Sequence, residues 1–193
     1  MKSPAVKFWV SLLLFFPVLV IAQPEQVYTS MAEALKNPQE VYWLDLSKQR
    51  LTHVPDAVRK FTNLRIISLG KNKLQQLPAW FAELTHLTEV TLTRNKFNVF
   101  PGVLCTLPKL TVLKIDRNPI AALPPAIGGL QNLAILDCWD TMIESLPPEI
   151  AQCKSLRHLD LRNTKIYKTD LPALMALLPN TEIQVTFGCS CNK

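Results

Sequence analysis

Residues 41–63 read VYWLDLSKQRLTHVPDAVRKFTN, residues 64–86 LRIISLGKNKLQQLPAWFAELTH and residues 87–109 LTEVTLTRNKFNVFPGVLCTLPK. The spacing continues in LTVLKIDRNPIAALPPAIGGLQN at 110–132 and LAILDCWDTMIESLPPEIAQCKS at 133–155, and a sixth copy opens at Leu156 as LRHLDLRNTKIYKTDLPALMALL. A fixed period of 23 residues means one supersecondary unit stacked on itself, each copy burying its apolar side against its neighbours. The order inside one copy therefore sets the order of the whole.

Within a copy the pattern is LxxLxLxxNxLxxLPxxIxxLxx. The opening alternation, as in Leu110, Leu113 and Ile115, predicts a short strand with its apolar residues turned inward. Successive copies lay these strands side by side and parallel, about 4.8 Å apart. Asn72, Asn95 and Asn118 then occupy a turn whose free backbone groups an amide side chain is able to satisfy. Gln49, Thr141 and Thr164 replace them elsewhere, so this ladder is expected to weaken at both ends.

The second half of each copy begins with an apolar residue and proline: Val54-Pro55, Leu77-Pro78, Phe100-Pro101, Leu123-Pro124 and Leu146-Pro147. Proline fixes φ and opens a short helix or 3-10 turn, with residues such as Phe81 and Leu84 facing inward. In the sixth copy Thr169-Asp170 are inserted, and the pattern resumes at Leu171, Pro172, Met175 and Leu178.

These motifs resemble leucine-rich repeat proteins, in the 23-residue class with the Leu-Pro motif found in Ras-suppressor-like proteins and plant disease-resistance-type repeats. The resemblance runs over residues 41–178. It implies an α/β solenoid: a horseshoe with a parallel sheet on its concave face and short helical or 3-10 segments on its convex side. It also implies a protein-interaction role.

A solenoid needs a cap at each end. Ser30 and Glu33 have capping-box spacing, opening a helix that Asn37-Pro38 would stop, and Ile183, Val185 and Phe187 alternate as a closing strand. Ahead of the cap, Lys2 and Lys7 form a basic start, Phe8 to Ala22 is uncharged and apolar, and Val20 and Ala22 are suited to cleavage before Gln23. Those 15 residues fall short of the roughly 20 a spanning helix needs, so an export signal is expected rather than an anchor. The expected organisation is a signal peptide at 1–22, an N-terminal helical cap at 23–40, six repeats at 41–178, and a cap strand with a cysteine tail at 179–193.

Without the signal, 19 basic residues face 15 acidic ones, a net charge of +4. That mild excess suits acidic surfaces without demanding nucleic acid, and an exported chain seldom meets nucleic acid. Of the five cysteines, Cys138 and Cys153 fill apolar core positions and Cys105 lies on the outer side of its copy. Cys189 and Cys191 in the tail have each other, Cys153 or another molecule as candidate partners.

Function has to come from the outward positions. The third position of the copies carries Trp43, Ile66, Glu89, Val112, Ile135 and His158; the fifth carries Asp45, Ser68, Thr91, Lys114, Asp137 and Asp160. The seventh carries Ser47, Gly70, Thr93, Asp116, Trp139 and Arg162, and the eighth Lys48, Lys71, Arg94, Arg117, Asp140 and Asn163. Ile66, Val112, Ile135, Trp139 and Trp43 form an apolar patch on a face that would ordinarily be polar, and exposed aromatics are common binding anchors. Arg94, Lys114, Arg117 and Arg162 surround it with charge. Lys48, Lys71, Arg94 and Arg117, flanked by Arg50, Lys73 and Lys96, draw a basic line along one rim, although such lines are often only solvated faces.

His158, Asp160, Asp137 and Asp140 converge near one end, yet their spacing copies no metal signature and reads better as salt-bridged surface. No nucleophile elbow, glycine-rich phosphate loop or CxxC pair is present. The expectation is therefore an exported, monomeric binding module without catalysis, metal or cofactor, taking a protein partner on its concave face. The alternative is an envelope-associated structural protein that binds an anionic glycan or polymer through the basic rim. Neither involves nucleic acid or a lasting membrane span.

Overall fold

Each copy contributes a three-residue strand, a tight turn and a short 3-10 segment. The computed structural model describes residues 26–186. The expected signal peptide, Phe187 and the cysteine tail lie outside the described residues. Eight strands form one sheet in chain order: β1 (Val27–Tyr28), β2 (Trp43–Asp45), β3 (Ile66–Ser68), β4 (Glu89–Thr91), β5 (Val112–Lys114), β6 (Ile135–Asp137), β7 (His158–Asp160) and β8 (Glu182–Gln184). All pairings are parallel, and from β2 to β7 the register joins residues one sequence period apart, as in Leu44 with Ile67, Val90 with Leu113 and Leu136 with Leu159.

The core is a column rather than a centre. Leu44, Ile67, Val90, Leu113, Leu136 and Leu159 are wholly buried beneath the strands. Val58, Phe81, Leu104, Ile127 and Ile150 meet them from the 3-10 segments Asp56–Lys60, Ala79–Glu83, Gly102–Thr106, Pro125–Gly129 and Pro148–Gln152. Proline explains why those segments start where they do. Pro55, Pro78, Pro101, Pro124 and Pro147 hold φ between −60° and −76°. Each offers its carbonyl to the N–H three residues on, at 3.0–3.1 Å, which closes the first 3-10 turn.

Between strand and 3-10 segment the chain reverses through a left-handed residue, at φ 54–62° for Lys48, Lys71, Arg94, Arg117, Asp140 and Asn163. Such a turn points backbone groups into the core, and asparagine satisfies them. Asn72 Oδ1 accepts the N–H groups of Gln49 and Leu51, each at 3.0 Å, and its Nδ2 donates to the carbonyls of Leu46 and Leu69, each at 2.9 Å. Asn95 accepts from Leu74 and donates to Leu69 and Leu92; Asn118 accepts from Phe97 and donates to Leu92 and Ile115. Every one of these asparagines bonds its own copy and the one before it. Thr141 and Thr164 stay within their own turns: they donate to the carbonyls of Cys138 and Leu161, and Thr164 also accepts the Ile166 N–H at 3.4 Å. At the other end Gln49 still reaches back, donating from Nε2 to the Thr29 carbonyl at 3.2 Å.

The N-terminal cap differs from the expected capping box. Helix α1 (Met31–Ala34) is a single turn, and the Ser30 side chain makes no capping bond. Glu33 instead pairs with Lys36 at 2.9 Å. Ahead of it β1 adds a strand that the periodicity does not reveal. At the far end the insertion before Leu171 converts the 3-10 segment into helix α2 (Leu171–Leu177), which buries Leu174.

Leu113→Ala in β5 is expected to cost about 2–5 kcal/mol. Asn95→Ala, which strands the Leu74 amide and takes one of two amide donors from each of the Leu69 and Leu92 carbonyls, should cost about 3 kcal/mol, whereas Thr141→Ala, which frees one carbonyl, should cost about 1 kcal/mol. Urea unfolding checks the ranking, and equal losses for Asn95 and Thr141 would contradict the account of the ladder.

Candidate binding surface

The sheet register fixes the outward rows. At the third position β1 adds Val27, so the row runs Val27, Trp43, Ile66, Glu89, Val112, Ile135, His158 and Glu182. Val27 is 39% exposed, while Trp43, Ile66, Val112 and Ile135 are half-buried. No periodic signal marks Val27, because it precedes the first copy. Trp43 holds its indole Nε1 out of solvent with no hydrogen-bond partner among the described residues, so it offers ring area rather than a polar contact. Glu89 interrupts the row and takes the Lys114 ammonium at 3.0 Å.

Carboxylates at the fifth position shape the turn that follows. Asp45 accepts the Ser47 N–H at 2.8 Å, Asp137 the Trp139 N–H at 3.0 Å, and Asp160 the Arg162 N–H at 3.0 Å. These are local carboxylate-to-backbone turns. At Asp137 the bond fixes where the Trp139 indole leaves the chain. One copy earlier, Asp116 is almost fully buried and accepts the Thr93 hydroxyl at 2.5 Å. Burial pushes the Asp137 carboxyl above its usual range; the Trp139 N–H opposes this, Asp116 and Asp160 add to it, and Lys114 opposes it.

Trp139 carries the most specific contact on this face. The Arg117 guanidinium lies over its ring, 3.9 Å from the centroid, and the Arg117 N–H donates to the Trp139 carbonyl at 2.8 Å. A cation on tryptophan contributes about 0.5–1 kcal/mol when exposed and about 2 kcal/mol when desolvated. The sequence names both residues but not their meeting. The signal for it is the eighth position of one copy facing the seventh position of the next.

The charged surround needs correction. Lys114 is occupied by Glu89, and Arg162 folds back on Asp160 through contacts of 2.6–3.1 Å. Two residues on one turn lie close enough for that pairing, and β5 stands beside β4. Arg117 is committed to Trp139, which leaves Arg94 exposed, with Lys96 on the same turn and Lys71 on the turn before. His158 pairs with Glu182, Nδ1 to Oε2 at 2.9 Å, instead of converging on Asp137 or Asp140. Among the described residues no three His, Cys, Asp or Glu side chains converge into a metal-holding group, and no helix is long and apolar enough to cross a membrane. Cys138 is wholly buried, and the Cys153 thiol donates to the Ile127 carbonyl. Burial pushes the Cys105 and Cys153 thiols up to about 11, with the proximity of Cys153 adding to the shift at Cys105. Neither is a thiolate at neutral pH.

Two family models match: leucine rich repeat over residues 39–97, and two copies of leucine rich repeats over residues 131–174. No curated protein matches. Among solved structures the chain is similar to a leucine-rich repeat protein of Leptospira interrogans, 31% identical over 83% of this chain and 47% of that one, with a TM-score of 0.67. It is also similar to internalin C2 of Listeria monocytogenes, at 21% identity over 84% of this chain and 68% of that one, TM-score 0.68. A plant peptide hormone receptor in complex with RGF2 matches at 24% identity over 75% of this chain and 23% of that one, TM-score 0.57. The last two likenesses speak for the fold alone. This chain spans about half the length of the Leptospira protein.

A carboxyl held above its unfolded value is one whose ionised form the fold disfavours. The penalty at Asp137 is therefore full above its folded pKa and vanishes as pH falls below the unfolded value near about 3.9. Asp137→Asn retains an acceptor for the Trp139 N–H and removes the charge. The variant is expected to melt higher than the parent at neutral pH, with the difference closing at about pH 3, as thermal unfolding at both pH values will show.

Proposed function

The chain belongs to the leucine-rich repeat family, and on that premise we propose that it is an exported, non-catalytic binding module that takes a protein partner on the concave face of its sheet. Leucine-rich repeats commonly mediate protein–protein interaction. The observation that carries the reading is the Arg117–Trp139 stack beside the half-buried row of Ile66, Val112 and Ile135. A tryptophan held by its own N–H bond and by a cation above its ring is already ordered, so a partner meeting it loses little conformational entropy. Tryptophan and arginine are also the residues most enriched among interface hot spots. Glu89 with Lys114, and Asp160 with Arg162, supply a polar edge whose charges are already paired.

The same reading divides the chain into a signal peptide at 1–22, a cap at 23–40, six repeats at 41–178 and a closing segment at 179–193, the whole acting as a monomer. Export is supported by the basic start and the apolar run Phe8 to Ala22. Intact mass of the exported protein should correspond to a chain beginning at Gln23.

Immobilised protein should capture its partner from the extracellular or envelope fraction and keep it at high salt, because apolar contact is little screened. Trp139→Ala should weaken capture by about 30-fold or more, the size of a hot-spot loss, while the lost Arg117 stack lowers the melting temperature by only about 2–4 °C. A partner released by salt and indifferent to Trp139 would overturn the proposal.

A further inference from the structure

Three consecutive turns carry a cation on each side of an amide: Lys48-Gln49-Arg50, Lys71-Asn72-Lys73 and Arg94-Asn95-Lys96. Asn72 and Asn95 are buried and laced into the core, so the residues flanking them project outward, and all six cations are exposed. Copies stack about 5 Å apart, which sets the cations in two parallel rows at the edge where the strands end.

The turn itself does not ask for them. Lys48, Lys71 and Arg94 sit at φ 62°, 57° and 55°, a region that glycine, asparagine and aspartate enter more readily than long side chains. The last two copies place Asp140 and Asn163 there at the same φ of 55°. Elsewhere the described cations are frequently neutralised: Lys36 by Glu33, Arg59 by Glu83, Lys114 by Glu89, Arg162 by Asp160 and Lys165 by Glu144. Among the described residues none of the six rim cations has a carboxylate within ion-pair distance. Six like charges this close repel one another unless a counter-charge is supplied from outside.

We propose that this rim binds a linear sulfated glycan laid along the stacking axis, its anionic groups meeting the two cation rows. The site is two residues wide and follows the stack, a line of charge that suits a linear chain better than a flat lipid surface. Gln49, Asn72 and Asn95 stand between the cations, so no ring is interleaved on which a nucleic-acid base could stack. The eighth-position row runs on into Arg117, whose guanidinium is stacked on Trp139, so the proposed glycan line ends where the Trp139 surface begins, and Trp139→Ala tells the two apart.

The test is calorimetric titration of the protein with a heparin oligosaccharide across a series of salt concentrations. Lys71/Arg94/Lys96→Glu is compared with Lys60/Lys109/Lys154→Glu, which makes the same change in net charge away from the rim. The parent, the off-rim variant and Trp139→Ala should bind alike, with affinity falling as salt rises. The rim variant should bind at least about tenfold more weakly and with a shallower salt dependence. Lys73/Lys96→Gln avoids the left-handed positions, serves if the charge reversal does not fold, and should weaken binding by about threefold. Equal losses in the rim and off-rim variants, no binding by the parent, or tighter binding to single-stranded RNA or to phosphatidylserine vesicles would each overturn the proposal.

Discussion

The amide of a buried asparagine is the contact on which the stack depends. A chain that reverses direction through a left-handed residue in so short a space leaves N–H and C=O groups facing the interior, where none is tolerated unpaired. A primary amide donates two hydrogen bonds and accepts on its oxygen, so one side chain serves groups of both kinds. Asn72, Asn95 and Asn118 bond to two copies at once and thereby set the spacing between them. Strands of three residues have little hold on their own. Laced at their ends, they keep the same register from β2 to β7.

That regularity accounts for how much of the fold is legible in the sequence. A residue's place in the period states whether it faces the core, the outer side of the sheet or the turn, and the register pairs the expected columns, Trp43 with Ile66 and Val112 with Ile135 among them. The exceptions lie where the period stops. Val27 joins the outward row from outside the first copy. Ser30 and Glu33 have the spacing of a capping box, but the Ser30 side chain makes no capping bond and Glu33 turns to Lys36 instead.

The surface is less legible, for a different reason. Position gives the column in which a side chain starts but not the neighbour it settles on. Lys114 lies between Glu89 and Asp137 and goes to Glu89; Arg162 chooses the aspartate two residues before it; Arg117 chooses a ring in the following copy. Each choice is a balance of rotamers, solvation and distance that is small beside the energies that fix the fold. Gly70 shows how sharply packing acts on the same surface. A Cβ there would stand 3.3 Å from the Thr93 carbonyl, so the turns that follow β3 and β4 pack closely at the seventh position.

Where threonine stands in for asparagine, the amide lacing stops, and the joints between the last three copies rest on the continuing backbone bonds, on the Cys153 thiol bonded to the Ile127 carbonyl, and on contacts at the surface. Arg117 reaches across the first of these joints to Trp139. Asn163 reaches across the second to Asp140, and Lys165 to Glu144 beside it. These are clips on the outside of the column rather than stitches within it, and water competes for them. In the C-terminal third of the solenoid, surface contacts thus take the place of the buried amides. Trp139 sits on one of these joints, so a partner bound there as proposed would bridge two copies at a place where the chain lacks its buried amide.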